Sequence, residues 1–189
     1  MNEQAKENMA LFLESFGIDL KQQGMEKTPT RVAMLYSQLF EGVGKSTRHA
    51  WGEVFPTEYE GLVSVMNIPF YSMCEHHLMP FYGMVDIIYQ PTDGKVAGLS
   101  KFGDVINILA RRPQLQERLT NQIADAIENE LGAAGVLVRV TGIHLCMLIR
   151  GDMQQGTQTV TLEGRGVLGV DGAPREEAFA IMGGTTSHV

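Results

Sequence analysis

The segment SMCEHHLMPF, residues 72 to 81, sets a thiol and two adjacent imidazoles within four positions, in a chain with two cysteines and five histidines. The other cysteine, Cys146, lies in IHLCM with His144 two positions before it. Cys74 and His77 form a C-x-x-H pair. Residues two apart on a strand share a face, so a strand through 144 to 146 turns His144 and Cys146 into one pocket. Thiolate and imidazole are the donors zinc prefers. The candidates are therefore Cys74, His76, His77, His144 and Cys146, and in an extended segment the adjacent His76 and His77 diverge, so that one suits a metal while the other faces elsewhere. Choosing Cys74, His77 and Cys146 leaves a fourth position open, as in a catalytic zinc whose water ionises at about pH 7. A structural zinc closed by four protein ligands competes with that reading. The spare imidazoles favour chemistry, because groups titrating near neutrality serve proton transfer and a structural site has no use for them. A Cys74–Cys146 disulfide is the remaining option; in a reducing compartment, a Cys beside His is more often a ligand or nucleophile.

These residues need a scaffold. KTPTRVAMLYSQLFEGV predicts an amphipathic helix, with Thr28 as N-cap, Pro29 at the first helical position, and Val32, Leu35, Tyr36, Leu39 and Phe40 at helical spacing. ENMALFLESFG before it predicts another helix stopped by Gly17. Residues 1–50 thus form an N-terminal helical region, and 51–189 the domain that carries the cysteines and most of the histidines. From residue 61 the pattern changes: GLVSVMNIPF, GMVDIIYQP and the short KVAGLS read as strands. KFGDVINILARRPQLQERLTNQIADAIENELG holds two helices broken at Pro113, the second with Leu115, Leu119, Ile123, Ile127 and Leu131 four apart. GVLVRVTGIHLCMLIRG and TQTVTLEGRGVL read as two long strands and PREEAFAIMG as a closing helix, followed by a polar tail, GTTSHV. The order implies an α+β domain: an antiparallel sheet with its helices on one face.

Composition narrows the function. With 189 residues, 44% of them hydrophobic, the chain can bury one sizeable core. No apolar run approaches the roughly 18 residues of a membrane span, and MNEQAKENMALF lacks the basic start and apolar stretch of a secretory signal, which points to the cytoplasm. The net charge of −7 and the absence of a Lys/Arg run argue against nucleic acid as a partner. A small anionic substrate remains compatible, since a few convergent cations override an unfavourable mean charge.

Taken in order, the blocks KTPTRVAMLYSQLFEG, MCEHHLMPFYG, VAGLSK, RRPQLQERLTNQIADAI, HLCMLIRG and REEAFAIMG resemble the zinc-dependent GTP cyclohydrolase I family over nearly the whole chain. The resemblance implies a T-fold: an antiparallel sheet, a helix pair on one face, an N-terminal helical layer, and subunits closing into an oligomeric barrel, a decamer in this family. It implies hydrolytic opening of the purine of GTP and rearrangement to 7,8-dihydroneopterin triphosphate and formate, the first step towards folate and related pterins. It further implies zinc on Cys74, His77 and Cys146, with proton transfer by His76 and His144 and a contribution from the Ser100 hydroxyl. Glu117 resembles the guanine anchor, a carboxylate suited to accept from the ring nitrogen and exocyclic amine, with Gln116 beside it. Lys101 and Arg150 resemble triphosphate contacts, and Arg31 the arginine supplied by a neighbouring subunit.

Two positions depart from the family. GLSK-x-x-R becomes GLSKFGD, placing Asp104 where a cation usually meets the triphosphate, and Asp152 follows RG where an apolar residue is usual. An acid close to phosphates repels them, by about 1 kcal/mol at partial exposure. The competing functions are a T-fold relative resembling the nitrile reductases of deazaguanine metabolism, a cyclohydrolase stopping at an early product, and a non-enzymatic pterin- or nucleotide-binding ring with structural zinc. CEHH paired with HLC argues against the first, and the presence of both His76 and His144 against the last.

Overall fold

The computed structural model describes residues 3–152 and 155–183; the polar tail over 184–189 lies outside the described residues. The chain divides into two compact units, Met1–Glu41 and Gly42–Val189. In the first, α1 (Glu3–Glu14) and α2 (Thr28–Leu39) pack on each other. Gly17, with φ +77°, follows the end of α1. Pro29 sits in the first turn of α2, where its missing N–H costs nothing. Thr28 is itself the first helical residue; Lys27 occupies the cap position, and no side chain caps the helix.

The second unit begins at Gly42. The Arg112 side chain ties its first turn down, donating to the carbonyls of Gly42 and Lys45 at 2.9 and 2.7 Å. Two short strands, β1 (Val54–Pro56) and β4 (Lys95–Ala97), pair with each other. The main sheet is built from β2 (Val63–Cys74), β3 (Pro80–Gln90), β5 (Pro113–Gln114), β6 (Gly135–His144) and β7 (Thr159–Gly166), in the order β5-β2-β3-β6-β7. The pairs β2–β3, β3–β6 and β6–β7 are antiparallel, and β5 runs parallel to the end of β2. The register of β2 against β3 shifts between Val65 and Ile68, at Asn67 with φ 57°.

The helix pair is α3 (Leu99–Ala110) and α4 (Gln116–Ala126), the latter continuing as a wider turn over Ile127–Leu131 that ends at Gly132 in the left-handed conformation. Leu119, Ile123 and Ile127 of the four-apart series are fully buried, facing Phe70, Val85, Ile87, Val138 and Val140 of the sheet. Such burial stabilises by roughly 1.5–3 kcal/mol per large apolar side chain. The alternation of strand side chains sends Ile88 and Leu137 the other way, where α6 (Ala173–Gly183) covers them with Ala178 and Met182. Helices therefore occupy both faces: the pair on one, α6 on part of the other. Beyond α6 that second face leaves Tyr71, Val160 and Leu162 exposed, with Tyr71 stacked on Tyr82.

Two strand expectations are corrected. KVAGLS is a strand only over Lys95–Ala97, because Gly98 caps α3 and Leu99 and Ser100 open it. The strand expected through Cys146 and on to Gly151 stops at His144, and Cys146 lies instead in a helical turn, α5 (Leu145–Leu148). The ladder partners run out there: Phe81 pairs His144, and β7 goes no further than Thr159 opposite Gly142. Apart from His144 the run IHLCMLI is apolar, and no glycine or proline marks that end.

Candidate active site

Cys74 is the last residue of β2, and the chain turns at once. The Leu78 N–H donates to the Cys74 carbonyl at 2.8 Å and the Cys74 N–H to that of Met79 at 2.9 Å, with Leu78 at φ 50° closing the loop. The loop is held to the helix pair by Glu75, whose N–H donates to the Gln114 carbonyl at 3.1 Å. The Glu75 carboxylate accepts two bonds from the Arg118 guanidinium, at 2.6 and 3.1 Å, and that pairing holds its pKa below the usual carboxylate value. His76 and His77 ride on this loop edge to face, ring centroids 6.2 Å apart and planes at 81°, and both line the cavity described below.

Strand β6 ends nearby, and the turn into α5 brings Cys146 to Cys74. The metal-binding atoms of Cys74, His77 and Cys146 all lie within 4.8 Å of one another. A tetrahedral zinc with bonds of about 2.0–2.3 Å sets its ligand atoms roughly 3.5–3.8 Å apart, so closure by about an ångström completes the site. The two thiols are 6% and 4% exposed. Burial pushes the Cys146 thiol up, and the adjacent Cys74 adds to the shift by hydrogen bonding and charge. A divalent cation between two adjacent thiols binds and stabilises both as thiolates. The donor set fits zinc.

These three residues share a cavity of about 190 Å³ with His76, His144, Gln116 and Glu117. The His144 ring stacks on Phe81, centroids 4.7 Å apart and planes 5° from parallel. Burial lowers its pKa, and the Glu117 carboxylate opposes that shift. Glu117 is exposed at the start of α4, its carboxylate engaged by no hydrogen bond or ion pair among the described residues. Gln116 beside it turns inward: 1% exposed, it meets His144 with its carbonyl oxygen and three acceptors of β6 and β7 with its amide nitrogen.

Ser100, Lys101 and Arg150 are not among the residues lining this cavity. Ser100 and Lys101 are in the first turn of α3, and Lys101 pairs with Asp104 at 3.0 Å. Arg150 donates to Nε2 of His77 at 3.1 Å and pairs with Asp152 at 3.4 Å. Both cations expected at the triphosphate thus carry an acid as partner, and those acids are the two departures noted in the sequence. Arg31 belongs to α2 of the first unit. Sequence reasoning passed over Phe81, Arg118 and Thr161, since their partners are set by strand register and by a loop-to-helix contact; Phe81 does sit inside the quoted SMCEHHLMPF segment.

A model of the family described as GTP cyclohydrolase I matches residues 5–183. The chain is 43% identical over 180 residues to a Streptococcus pyogenes protein named GTP cyclohydrolase 1, covering 95% of this chain and 93% of that one. A Carboxydothermus hydrogenoformans protein of the same name is 46% identical over 173 residues, covering 92% and 90%. Among solved structures, the archaeosine synthase QueF-Like in the apo form matches 58% of this chain and 97% of its own with a TM-score of 0.45 and 16% identity.

Proposed function

The chain belongs to the GTP cyclohydrolase I family, and from that premise we propose that Cys74, His77 and Cys146 hold a zinc ion at the point where GTP is opened to 7,8-dihydroneopterin triphosphate and formate. One observation carries the assignment: two buried thiols and an imidazole converge within 4.8 Å in a cavity also lined by His76, His144 and Glu117. When bound, zinc supplies the Lewis acidity that makes a water nucleophilic near neutral pH.

The chain's own groups do the rest. Glu117, exposed at the mouth and without an internal partner, accepts from the guanine ring nitrogen and exocyclic amine and so aims the imidazole half of the purine inward. Carbon 8 then takes the water oxygen while an imidazole, His144 or His76, gives a proton to the neighbouring ring nitrogen. The ring opens to a formamide, and a second water releases formate. Ribose opening, rearrangement and closure onto the freed amine need further proton transfers, which suits two imidazoles and the Ser100 hydroxyl. The lowered pKa of His144 keeps it mostly neutral between turnovers, ready to take up a proton. Lys101 and Arg150 bind the triphosphate, exchanging Asp104 and Asp152 for phosphate oxygens.

A cavity of 190 Å³ is below the roughly 300–1,000 Å³ that encloses a drug-sized ligand. It has room for a base, and the triphosphate must extend beyond it. This supports a site shared between subunits, with Arg31 of a neighbour at the phosphates. The assembly is a homo-oligomeric barrel, a decamer on family grounds, and the exposed Val160 and Leu162 of edge strand β7, with Tyr71 of β2 on the same face, support burial of that face between copies. Residues 51–189 carry the catalytic T-fold and 1–50 the helical layer. A cytoplasmic location completes the reading; among the described residues no helix is long and apolar enough to cross a membrane. The product leads to folate and tetrahydropterins.

Incubating the zinc-loaded protein with GTP, and measuring formate together with the fluorescent oxidised pterin, tests the reading. Both should appear in equal amounts. Formate without the pterin identifies an early-product enzyme, and neither product identifies a binding ring.

A further inference from the structure

The polar network around Gln116 fixes which way its amide points. Its side-chain nitrogen lies 3.0 Å from the Val140 carbonyl, 2.9 Å from the Thr159 carbonyl and 3.1 Å from the Thr161 hydroxyl. Carbonyl oxygens can only accept, so the amide must present its NH₂ to them and its Oε1 to His144, whose Nε2 is 2.8 Å away. An amide oxygen has no hydrogen to give, so the histidine donates. The Thr120 hydroxyl donates to the Gln116 backbone carbonyl at 2.8 Å and receives the Thr161 hydroxyl at 2.6 Å, leaving Thr161 free to accept from Gln116.

We propose that Gln116 is a positioning residue: through Oε1 it holds the His144 ring in one rotation and in the tautomer protonated on Nε2, with Nδ1 left as the ring's acceptor. The proposal rests on the reading of His144 as a proton-transfer group. The ring is held in plane by Phe81 and in rotation by Gln116.

Gly142 makes the contact possible. A Cβ at this position would lie 2.5 Å from Gln116 Oε1 and 3.7 Å from His144 Nε2, so any side chain there pushes the amide off the imidazole. Substrate contact by the Gln116 side chain would require breaking bonds to two strands.

Two variants, Gln116→Leu and Gly142→Ala, test the proposal in the zinc-loaded protein with GTP as substrate. Each should lower kcat by about ten- to a hundredfold, the range for losing a group that orients a working histidine. KM for GTP should stay within about twofold and zinc near its original content, a split that points to the chemical step rather than to binding. A rise in KM with kcat preserved would make Gln116 a substrate contact, and unchanged kinetics would leave it no role; either outcome overturns the proposal. Should the variants fold poorly, nitrogen-15 spectra of histidine-labelled wild-type protein, zinc-loaded and without GTP, decide directly. His144 should show its hydrogen on Nε2, and a hydrogen on Nδ1 alone overturns the proposal. That spectrum does not depend on turnover, so a correct tautomer in a protein that releases no formate would count against the functional reading and leave the geometry standing.

Discussion

The ligand cluster and the two cations assigned to the triphosphate are built in opposite ways. Cys74 is buried at the end of β2 and Cys146 in the helical turn that follows β6, and the loop between Cys74 and Met79 is closed by backbone hydrogen bonds. Lys101 and Arg150 are partly exposed, each paired with an acid within three positions of itself. Moving a cysteine means moving a strand. Moving either cation means exchanging one exposed ion pair for another, a difference of about 0–1 kcal/mol. The chemistry is therefore fixed by the fold, while the phosphate contacts are left adjustable, and substitutions in the two regions should differ in size and in the constant they affect.

The largest effect is expected at the cluster. Cys74→Ser or Cys146→Ser should remove zinc and formate release together, measured by metal analysis and by product formation; a metal-free variant with full activity would break the contrast at once. Next come the imidazoles: His76→Ala and His144→Ala should each lower turnover by roughly a hundredfold with zinc retained, the usual scale for a lost general acid or base. Parallel loss of zinc would make that histidine a ligand.

Effects at the cations should be smaller and fall on binding. Asp104→Arg frees Lys101 and adds a positive charge, so KM for GTP should fall about five- to tenfold at low salt, equivalent to roughly 1 kcal/mol, with kcat little changed. Added salt should shrink the gain, since exposed charges are screened beyond about 8–10 Å at 0.1–0.15 M. An unchanged KM would show that Asp104 does not bear on the phosphates. Smallest of all, Asp152→Asn releases a longer pair at 3.4 Å and should lower KM by only about two- to threefold. If it instead disturbs zinc content, Arg150 acts through His77, which it also touches.

The same contrast explains what the sequence made legible. Cys and His types at telling spacings marked the candidate ligands, Glu117 entered only through the family resemblance, and the four-apart series Leu119, Ile123 and Ile127 identified the helix packed on the sheet, because burial leaves a period. The end of β6 at His144 left no such mark, being set by where neighbouring strands stop. Gln116 and Glu117 look alike as polar residues opening a helix, yet one is 1% exposed and the other faces the cavity mouth. Only the pairing of β6 with β7, which gathers Val140, Thr159 and Thr161, distinguishes them. That α6 covers the second face was equally hidden, since PREEAFAIMG shows a helix without showing which surface receives it.

Strand β2 contains an odd step. Val65 and Ile68, three residues apart, both face the helix pair, because Asn67 is an extra residue relative to β3. The Asn67 N–H donates at 2.8 Å to Asp86, a fully buried carboxylate that also receives Arg139 at 2.9 and 2.7 Å. Everything downstream depends on that step: with Asn67 in the chain, Phe70, Ser72 and Cys74 point towards the helices only because the bulge takes up the extra residue. The bulge is thus as much a part of the candidate metal site as its ligands. Flattening it into regular pairing with Asn67 kept would turn the Cys74 thiol to the opposite face, whereas deleting Asn67 would restore plain alternation and leave Cys74 facing the helices. A relative lacking that single residue could therefore keep the site, while one that kept the residue and lost the bulge could not.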